Sequence, residues 1–255
     1  MNTNTVNIRN ITLGDGRPKI CLPIVGKTIE EIKSQTELIM QNPVDIVEWR
    51  ADLFENTNDS DATDETVKII RRIIDDVPLL YTIRTVNEGG GFSLSFGEYA
   101  ELLKQAASNP LIDAVDVEIL STNTEAVTAL IASLKQNAVV IASSHDFAKT
   151  PDKEEIIKHL QYMEACGADI CKMAVMPQST EDVLVLLAAT NQAYQLLNRP
   201  VITMSMGKTG LISRLCGEVF GSALTFGCVG QSSAPGQIDA KELDRAIEIL
   251  HKNIV

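Results

Sequence analysis

The sequence predicts an α/β fold, a (β/α)8 TIM barrel with an N-terminal β-hairpin, and three observations carry that reading. Short apolar, β-branched runs recur at regular intervals along the chain. Amphipathic stretches with helical spacing lie between them, and strict alternation of strand and helix is the pattern of a parallel sheet. The 255 residues show no composition break and no Pro/Gly/Ser-rich linker after residue 19, so a single barrel domain over 1–255 is expected. An open doubly wound sheet competes with the barrel. It normally carries a glycine-rich phosphate turn after its first strand, and here that turn reads I-V-G-K-T-I-E-E, without G-x-G-x-x-G.

Residues 1–18 form an extension in which V-N-I-R-N-I-T-L (6–13), followed by G-D-G, predicts a two-stranded hairpin that plugs the bottom of the barrel. The strand candidates are 19–25, 45–52, 78–84, 113–119, 138–146, 169–175, 200–206 and 223–229. Helical spacing covers 28–42, 64–76, 97–108, 123–136, 152–166, 179–197 and 239–253. Start signals stand at Ser121 or Thr122 ahead of Glu125, at Thr150-Pro151-Asp152, and at Ser179 with Asp182. The polar run N-T-N-D-S-D-A-T-D (56–64) is expected to be loop. The connection after the seventh strand, K-T-G-L-I-S-R-L-C-G-E-V-F-G-S, is glycine-punctuated and predicts only a brief helix.

With 22 basic and 34 acidic side chains the net charge is -12. Such a chain has no evident basic face for neutralising phosphates, so neither nucleic acid nor an anionic membrane is an expected partner. Five cysteines (Cys21, Cys166, Cys171, Cys216, Cys228) form no C-x-x-C pair, and three histidines show no ligand spacing. Reduced thiols and no metal site are expected. The N-terminus lacks a signal-peptide pattern and no apolar run is long enough for a span, which makes the cytoplasm the default location.

In a barrel, chemistry sits at the C-terminal strand ends, where side chains two apart share a face. Those ends offer Glu48, Arg50 and Asp52, then Arg84 and Glu88, then Asp116 and Glu118, then Ser143 and His145, with Lys172 on the sixth strand and Arg214 after the seventh. Lys172 interrupts the apolar run D-I-C-K-M-A-V, where an unpaired ammonium is costly. It is either a structural partner of Asp116 or Glu118, or an amine whose free pKa of about 10.4 is lowered so that it forms an imine with a carbonyl. His145 at the neighbouring strand end is a candidate general acid/base, or a satisfied rim histidine; His159 and His251 fall on helices and are read as surface residues. Arg50, Arg84 and Arg214 would hold a carboxylate or polyol, or else form ordinary ion pairs such as Arg50 with Glu48 and Arg84 with Glu88. M-G-K-T at 206–209 is not a P-loop, because residue 202 is isoleucine rather than glycine. Met204 and Met206 are core or an apolar pocket wall. The loop G-Q-S-S-A-P-G-Q-I (230–238), with hydroxyls at Ser232 and Ser233 and an amide at Gln237, is a candidate lid or a plain connector.

Taken together, E-W-R-A-D (48–52), T-I-R-T-x-x-E-G-G (82–90), D-V-E (116–118), I-A-S-S-H-D (141–146), K-M-A (172–174), M-S-M-G (204–207), S-R (213–214) and S-A-P-G-Q (233–237) resemble type I 3-dehydroquinate dehydratase, in family order and over all but the termini. The resemblance implies a cytoplasmic homodimer of the shikimate pathway with no cofactor, acting on 3-dehydroquinate. It implies that Lys172 forms the imine, that His145 moves the protons and that Glu88 orients His145. Arg214, Ser233 and Gln237 would bind the carboxylate, Glu48, Arg50 and Arg84 the ring hydroxyls, and Met204 and Met206 would line the wall. Two positions depart from the pattern: Pro23, where relatives often have serine, and Ser144, where a larger polar residue is common. A class I aldolase would use the same imine on the same fold, and a non-catalytic binding barrel would need neither Lys172 nor His145.

Overall fold

The computed structural model describes residues 4–119, 123–230 and 233–254. Its first element is an antiparallel hairpin, β1 (Val6–Ile8) with β2 (Ile11–Leu13), in the register Val6 opposite Leu13. Eight parallel strands follow in sequence order: β3 (Lys19–Ile24), β4 (Ile46–Arg50), β5 (Leu79–Thr82), β6 (Ala114–Glu118), β7 (Val139–Asp146), β8 (Ile170–Val175), β9 (Val201–Ser205) and β10 (Leu224–Cys228). A two-residue strand, β11 (Ile238–Asp239), pairs with the end of β10. The ring closes between β9 and β10 through a parallel bridge from Val201 to Ser222 and a bond from Ala223 N to Val201 O of 2.8 Å. The Ser222 hydroxyl, accepting from Thr203 N at 3.1 Å, fastens the same seam.

The helices are α1 (Ile29–Ile39), α2 (Ser60–Ile74), α3 (Phe96–Ser108), α4 (Thr124–Leu134), α5 (Lys153–Ala165), α6 (Thr180–Leu196), the short α7 (Leu211–Leu215) and α8 (Gly217–Phe220), and α9 (Ala240–Ile254). Two short turns thus replace one brief helix after β9. The polar run 56–64 is not all loop: Asp59 accepts from the amides of Asp61 and Ala62, so α2 begins at Ser60. Ser179 and Asp182 form the reciprocal cap expected of α6. At α4 the cap is Asn123, accepting from Glu125 N; Ser121 and Thr122 lie outside the described residues.

Strand alternation divides the apolar residues into two cores. Leu22, Val47, Trp49, Tyr81, Val115, Val140 and Met173 face outward and pack against the helices. Cys21, Ile46, Leu80, Ala114, Ile141, Ile170, Ile202 and Leu224 point inward and make the lower layer of the barrel interior, and Ile8 and Leu13 of the hairpin cover it. The bottom is therefore plugged, as the N-terminal pattern suggests. The interior positions one step higher are polar, and they build the site.

Strand register is pinned by a device that occurs three times. Asp45, Asp113 and Asp169 each stand just before an even-numbered barrel position and each bond one residue of the preceding strand twice. Their amides donate to Ile20 O, Leu79 O and Val140 O, at 2.9, 3.0 and 3.0 Å. Their carboxylates accept from Ile20 N, Leu79 N and Val140 N, at 2.8, 2.7 and 3.0 Å. A slip of one residue would turn every inward side chain outward, and these clamps oppose it from the end of the barrel away from the site.

Candidate active site

The eleven residues to which the resemblance gives a role line one cavity of about 210 Å³ at the C-terminal end of the barrel: Glu48, Arg50, Arg84, Glu88, His145, Lys172, Met204, Met206, Arg214, Ser233 and Gln237. Pockets for drug-sized ligands run from about 300 to 1,000 Å³, so this one suits a small molecule. Alternation in β4, β7 and β8 puts Glu48, Arg50, His145 and Lys172 on the inner face, and the register sets Ser143 beside Lys172 and His145 beside Ala174.

Lys172 is only 3% exposed. Its Nζ donates to Asp116 Oδ2 at 3.0 Å and lies 4.8 Å from the centre of the Phe226 ring. Of the two candidate partners, Asp116 takes this role. Glu118 instead accepts from Arg84 at 3.0 Å and from the amide and hydroxyl of Thr85 at 2.8 and 2.6 Å. Arg84 is nearly surrounded by acceptors, with Asp116 Oδ1 at 2.8 Å, Ser143 Oγ at 3.1 Å and Glu88 at 3.4 Å. Burial opposes ionisation of Asp116, but Arg84 and Lys172 overcome it and hold its carboxyl well below the usual range. Arg50 pairs with Asp52 through two bonds of 2.8 and 2.7 Å, not with Glu48, which accepts from Thr82 Oγ1 at 3.0 Å.

His145 Nδ1 lies 2.8 Å from Glu88 Oε2. Burial, reinforced by the cations of Arg84 and Lys172, holds the imidazole well below its ordinary range. Burial also pushes the Glu88 carboxyl up to about 8, against the pull of Arg84. Nε2 has no hydrogen-bond partner among the described residues and is the nitrogen left for a ligand. With Glu88 ionised and Nδ1 protonated, Nε2 presents a lone pair; with one more proton on the pair, it can donate. The two side chains can therefore work as a single acid–base unit. Phe147 stacks on the imidazole, 6.4 Å between ring centres and 21° between planes. It packs over Gly89, whose φ of 82° and lack of a Cβ leave room for the ring.

On the opposite wall, Arg214 donates to Pro235 O at 3.1 Å and reaches Phe226 O at 3.5 Å. No carboxylate pairs with it among the described residues, and burial pushes its guanidinium down to about 10. A buried cation without a counter-ion is a site that an anionic ligand would complete. The loop beside it is held by Ser233 and Gln237, which exchange bonds of 2.8 and 2.9 Å, and by Gly207 N donating to Pro235 O at 3.2 Å. Ser232 lies outside the described residues.

Phe226 and Phe147 also line the cavity and were not singled out from the sequence, whereas Pro235, which lines it too, belongs to the S-A-P-G-Q motif. A phenylalanine in an apolar strand reads as core, and nothing but its inward position beside Lys172 marks it. Pro23 faces inward beside Glu48, whereas Ser144 sits beside Met173 and points away from the cavity. His251 bonds Glu218 at 2.8 Å, far from the site, and five free cysteines are present, four of them buried. Among the described residues no three His, Cys, Asp or Glu side chains are grouped to hold a metal ion.

The model of the type I 3-dehydroquinase family matches residues 20–254. The chain belongs to that family. It is 47% identical over 249 residues to the 3-dehydroquinate dehydratase of Listeria monocytogenes serotype 4b, covering 98% of this chain and 99% of the relative. Among solved structures of the family, that of the type I 3-dehydroquinate dehydratase of Clostridium difficile with covalent modified comenic acid aligns with a TM-score of 0.94 at 47% identity, over 98% of each chain. The Geobacillus kaustophilus 3-dehydroquinate dehydratase aligns with a TM-score of 0.94 at 38% identity, over 97% of this chain and 96% of its own. This family membership carries the barrel fold read from the alternation of strands and helices.

Proposed function

We propose that the chain is a 3-dehydroquinate dehydratase that removes water from 3-dehydroquinate by syn elimination through an imine on Lys172, giving 3-dehydroshikimate. The observation that carries this reading is the meeting, in one cavity of a type I 3-dehydroquinase, of a buried amine with a histidine–carboxylate pair and an arginine that lacks a counter-ion. The covalent modified comenic acid on the Clostridium difficile relative agrees with covalent chemistry in this family.

Arg214, with Ser233 and Gln237, receives the substrate carboxylate, while Glu48, Arg50 and Arg84 face the ring hydroxyls and Met204 and Met206 the apolar edge. Lys172, as the free amine, attacks the C3 carbonyl; a new C–N bond forms and the carbonyl oxygen leaves as water. The proton that the ammonium must first lose does not rest on Asp116, whose carboxylate stays ionised as a counter-ion. The His145–Glu88 pair is the acceptor within reach, and it returns that proton to the departing carbonyl oxygen, which leaves Nε2 free for the next step. The protonated imine then acts as an electron sink. His145 Nε2 takes the acidified C2 proton, the electron pair moves into an enamine, and its return expels the C1 hydroxyl, protonated by the same nitrogen. Water finally hydrolyses the imine, releasing product and amine, so that protons and electrons balance over the cycle.

The same reading takes the chain as a single barrel domain, working as a homodimer in the cytoplasm as part of the shikimate pathway. No helix among the described residues is long and apolar enough to cross a membrane. The test is Lys172→Ala: turnover of 3-dehydroquinate is lost while circular dichroism and the unfolding transition show a folded barrel. A folded variant with substantial turnover would refute the imine.

A further inference from the structure

The seam between β5 and β6 is incomplete. These strands pair only at Leu80 with Ala114 and Tyr81 with Val115, whereas β6 pairs with β7 at every position from Ala114 to Glu118. Continuing the parallel ladder by one rung would have Ile83 N donate to Asp116 O, and Glu118 N donate to Ile83 O. That rung is absent, because the chain leaves β5 after Thr82 and carries Arg84 into the barrel. The two backbone groups it would have used are both met by one side chain. Tyr99, on α3 and 4% exposed, accepts from Glu118 N at 2.9 Å and donates to Asp116 O at 3.4 Å.

We propose that Tyr99 is a positioning residue: its phenol oxygen replaces the missing rung, keeps the β5 and β6 ends apart, and so sets Asp116 against the amine of Lys172. The gap it holds open is filled by Arg84 and Thr85, which bond the Glu118 carboxylate from the β5 side. A buried amide and carbonyl left without partners would favour closure of the ladder onto Ile83, and Arg84 follows Ile83 directly. Closure would therefore draw Arg84 off Asp116 and turn the carboxylate away from Lys172. Tyr99 touches neither substrate nor reacting atoms. Its effect passes through the Asp116 main chain.

This inference rests on the imine reading for its kinetic consequence but not for its geometry. The charged and titratable groups around Lys172 are Asp116 from β6, Glu48 and Arg50 from β4, Arg84 and Glu88 from the segment after β5, His145 from β7 and Cys21 from β3, with Arg214 of α7 on the opposite wall of the cavity. Of these, Asp116 is the one bonded to Nζ. Weakening that bond makes the ammonium easier to deprotonate. In Tyr99→Phe, the pH at which borohydride trapping of substrate on Lys172 is half-maximal moves down by about half a unit or more. kcat falls about tenfold because Asp116 no longer sits against the protonated imine, and KM rises by a smaller factor because Arg84, which faces the ring hydroxyls, shifts with it. Amide hydrogen exchange at Glu118 speeds up independently of any substrate.

A purely structural tyrosine would lower the unfolding temperature and leave the trapping midpoint and kcat of the folded enzyme unchanged; that result overturns the proposal. Should the phenylalanine variant not fold, 3-fluorotyrosine at position 99 keeps the shape and weakens acceptance from Glu118 N. An unshifted trapping midpoint in that folded variant also overturns it. Absence of any Lys172 adduct in the unsubstituted enzyme would refute the imine, while faster exchange at Glu118 in Tyr99→Phe would still support the rung.

Discussion

At Lys172 the protein places a cation in a barrel interior and supplies one carboxylate, one aromatic face and a histidine–carboxylate pair around it. The division of labour follows from the electrostatics. Asp116, fixed by Arg84 and Ser143 as well as by Lys172, remains an anion, whereas Glu88 and His145 meet in a 2.8 Å contact along which a proton can pass. In His145→Ala, the imine still forms, slowly, but product is not released. Mass spectrometry of that variant after mixing with substrate should show a persistent adduct, and normal release kinetics would remove histidine from the mechanism. Glu88 has a separate signature in stability. Because its carboxyl is raised to about 8, the folded chain keeps a proton that the unfolded chain gives up near pH 4.3. Stability therefore falls as pH rises between those values. The unfolded His145 also sheds its remaining proton just above a pH of about 6.5, so between about pH 7 and 8 it is the comparison with Glu88→Gln that isolates the share of the slope owed to Glu88. The unfolding temperature should drop over that interval, and the drop should shrink in Glu88→Gln; equal slopes in the two proteins would contradict the raised carboxyl.

Lys172 was legible in the sequence because a charge in an apolar strand stands out. The choice between Asp116 and Glu118 was not, since both lie on the inner face of β6 and only the depth of Lys172 separates them. Arg50 pairs with Asp52 rather than Glu48 because the chain turns at Ala51 and brings the later carboxylate back toward the guanidinium. Tyr99 was silent for another reason: on an amphipathic helix an aromatic side chain reads as core, and its hydroxyl acquires meaning only from a rung that is missing elsewhere.

Among the strands, periodicity located each barrel position to within a residue or two, because the alternation of two apolar cores is written directly in the side chains. β5 stops at Thr82, two residues short of the end of the apolar run to Arg84. Sequence cannot show that Ile83 loses its partner to a tyrosine hydroxyl. The three aspartate clamps were equally hidden, each being an unremarkable acid before an apolar run. Asp113 carries the heaviest load, since Arg71 at 2.6 Å and the Nε of Arg9 also bind it. Asp113→Ala should cost about 2–4 kcal/mol in urea unfolding, through the freed Leu79 amide and the lost ion pair with Arg71, which keeps its carbonyl partners. Turnover of the folded variant should be unchanged, as the clamp sits at the opposite end of the barrel from the cavity. A loss below about 1 kcal/mol would show that the register is held by the ladder alone.

Across the molecule, stability and chemistry occupy opposite ends of one barrel. The hairpin, the lower apolar layer and the clamps close the bottom, while the upper layer gathers cations that the net charge of -12 conceals. Composition therefore weighs against broad partner classes but could not reveal a local anion site; that needed Arg214 to be placed without a counter-ion. The most direct measurement is peptide mass spectrometry after borohydride reduction in the presence of 3-dehydroquinate, with Lys172→Ala as the control. A reduced adduct on the peptide containing Lys172, absent from the variant, is the expected result. Folded protein that turns over 3-dehydroquinate yet carries no adduct at Lys172 would contradict the imine.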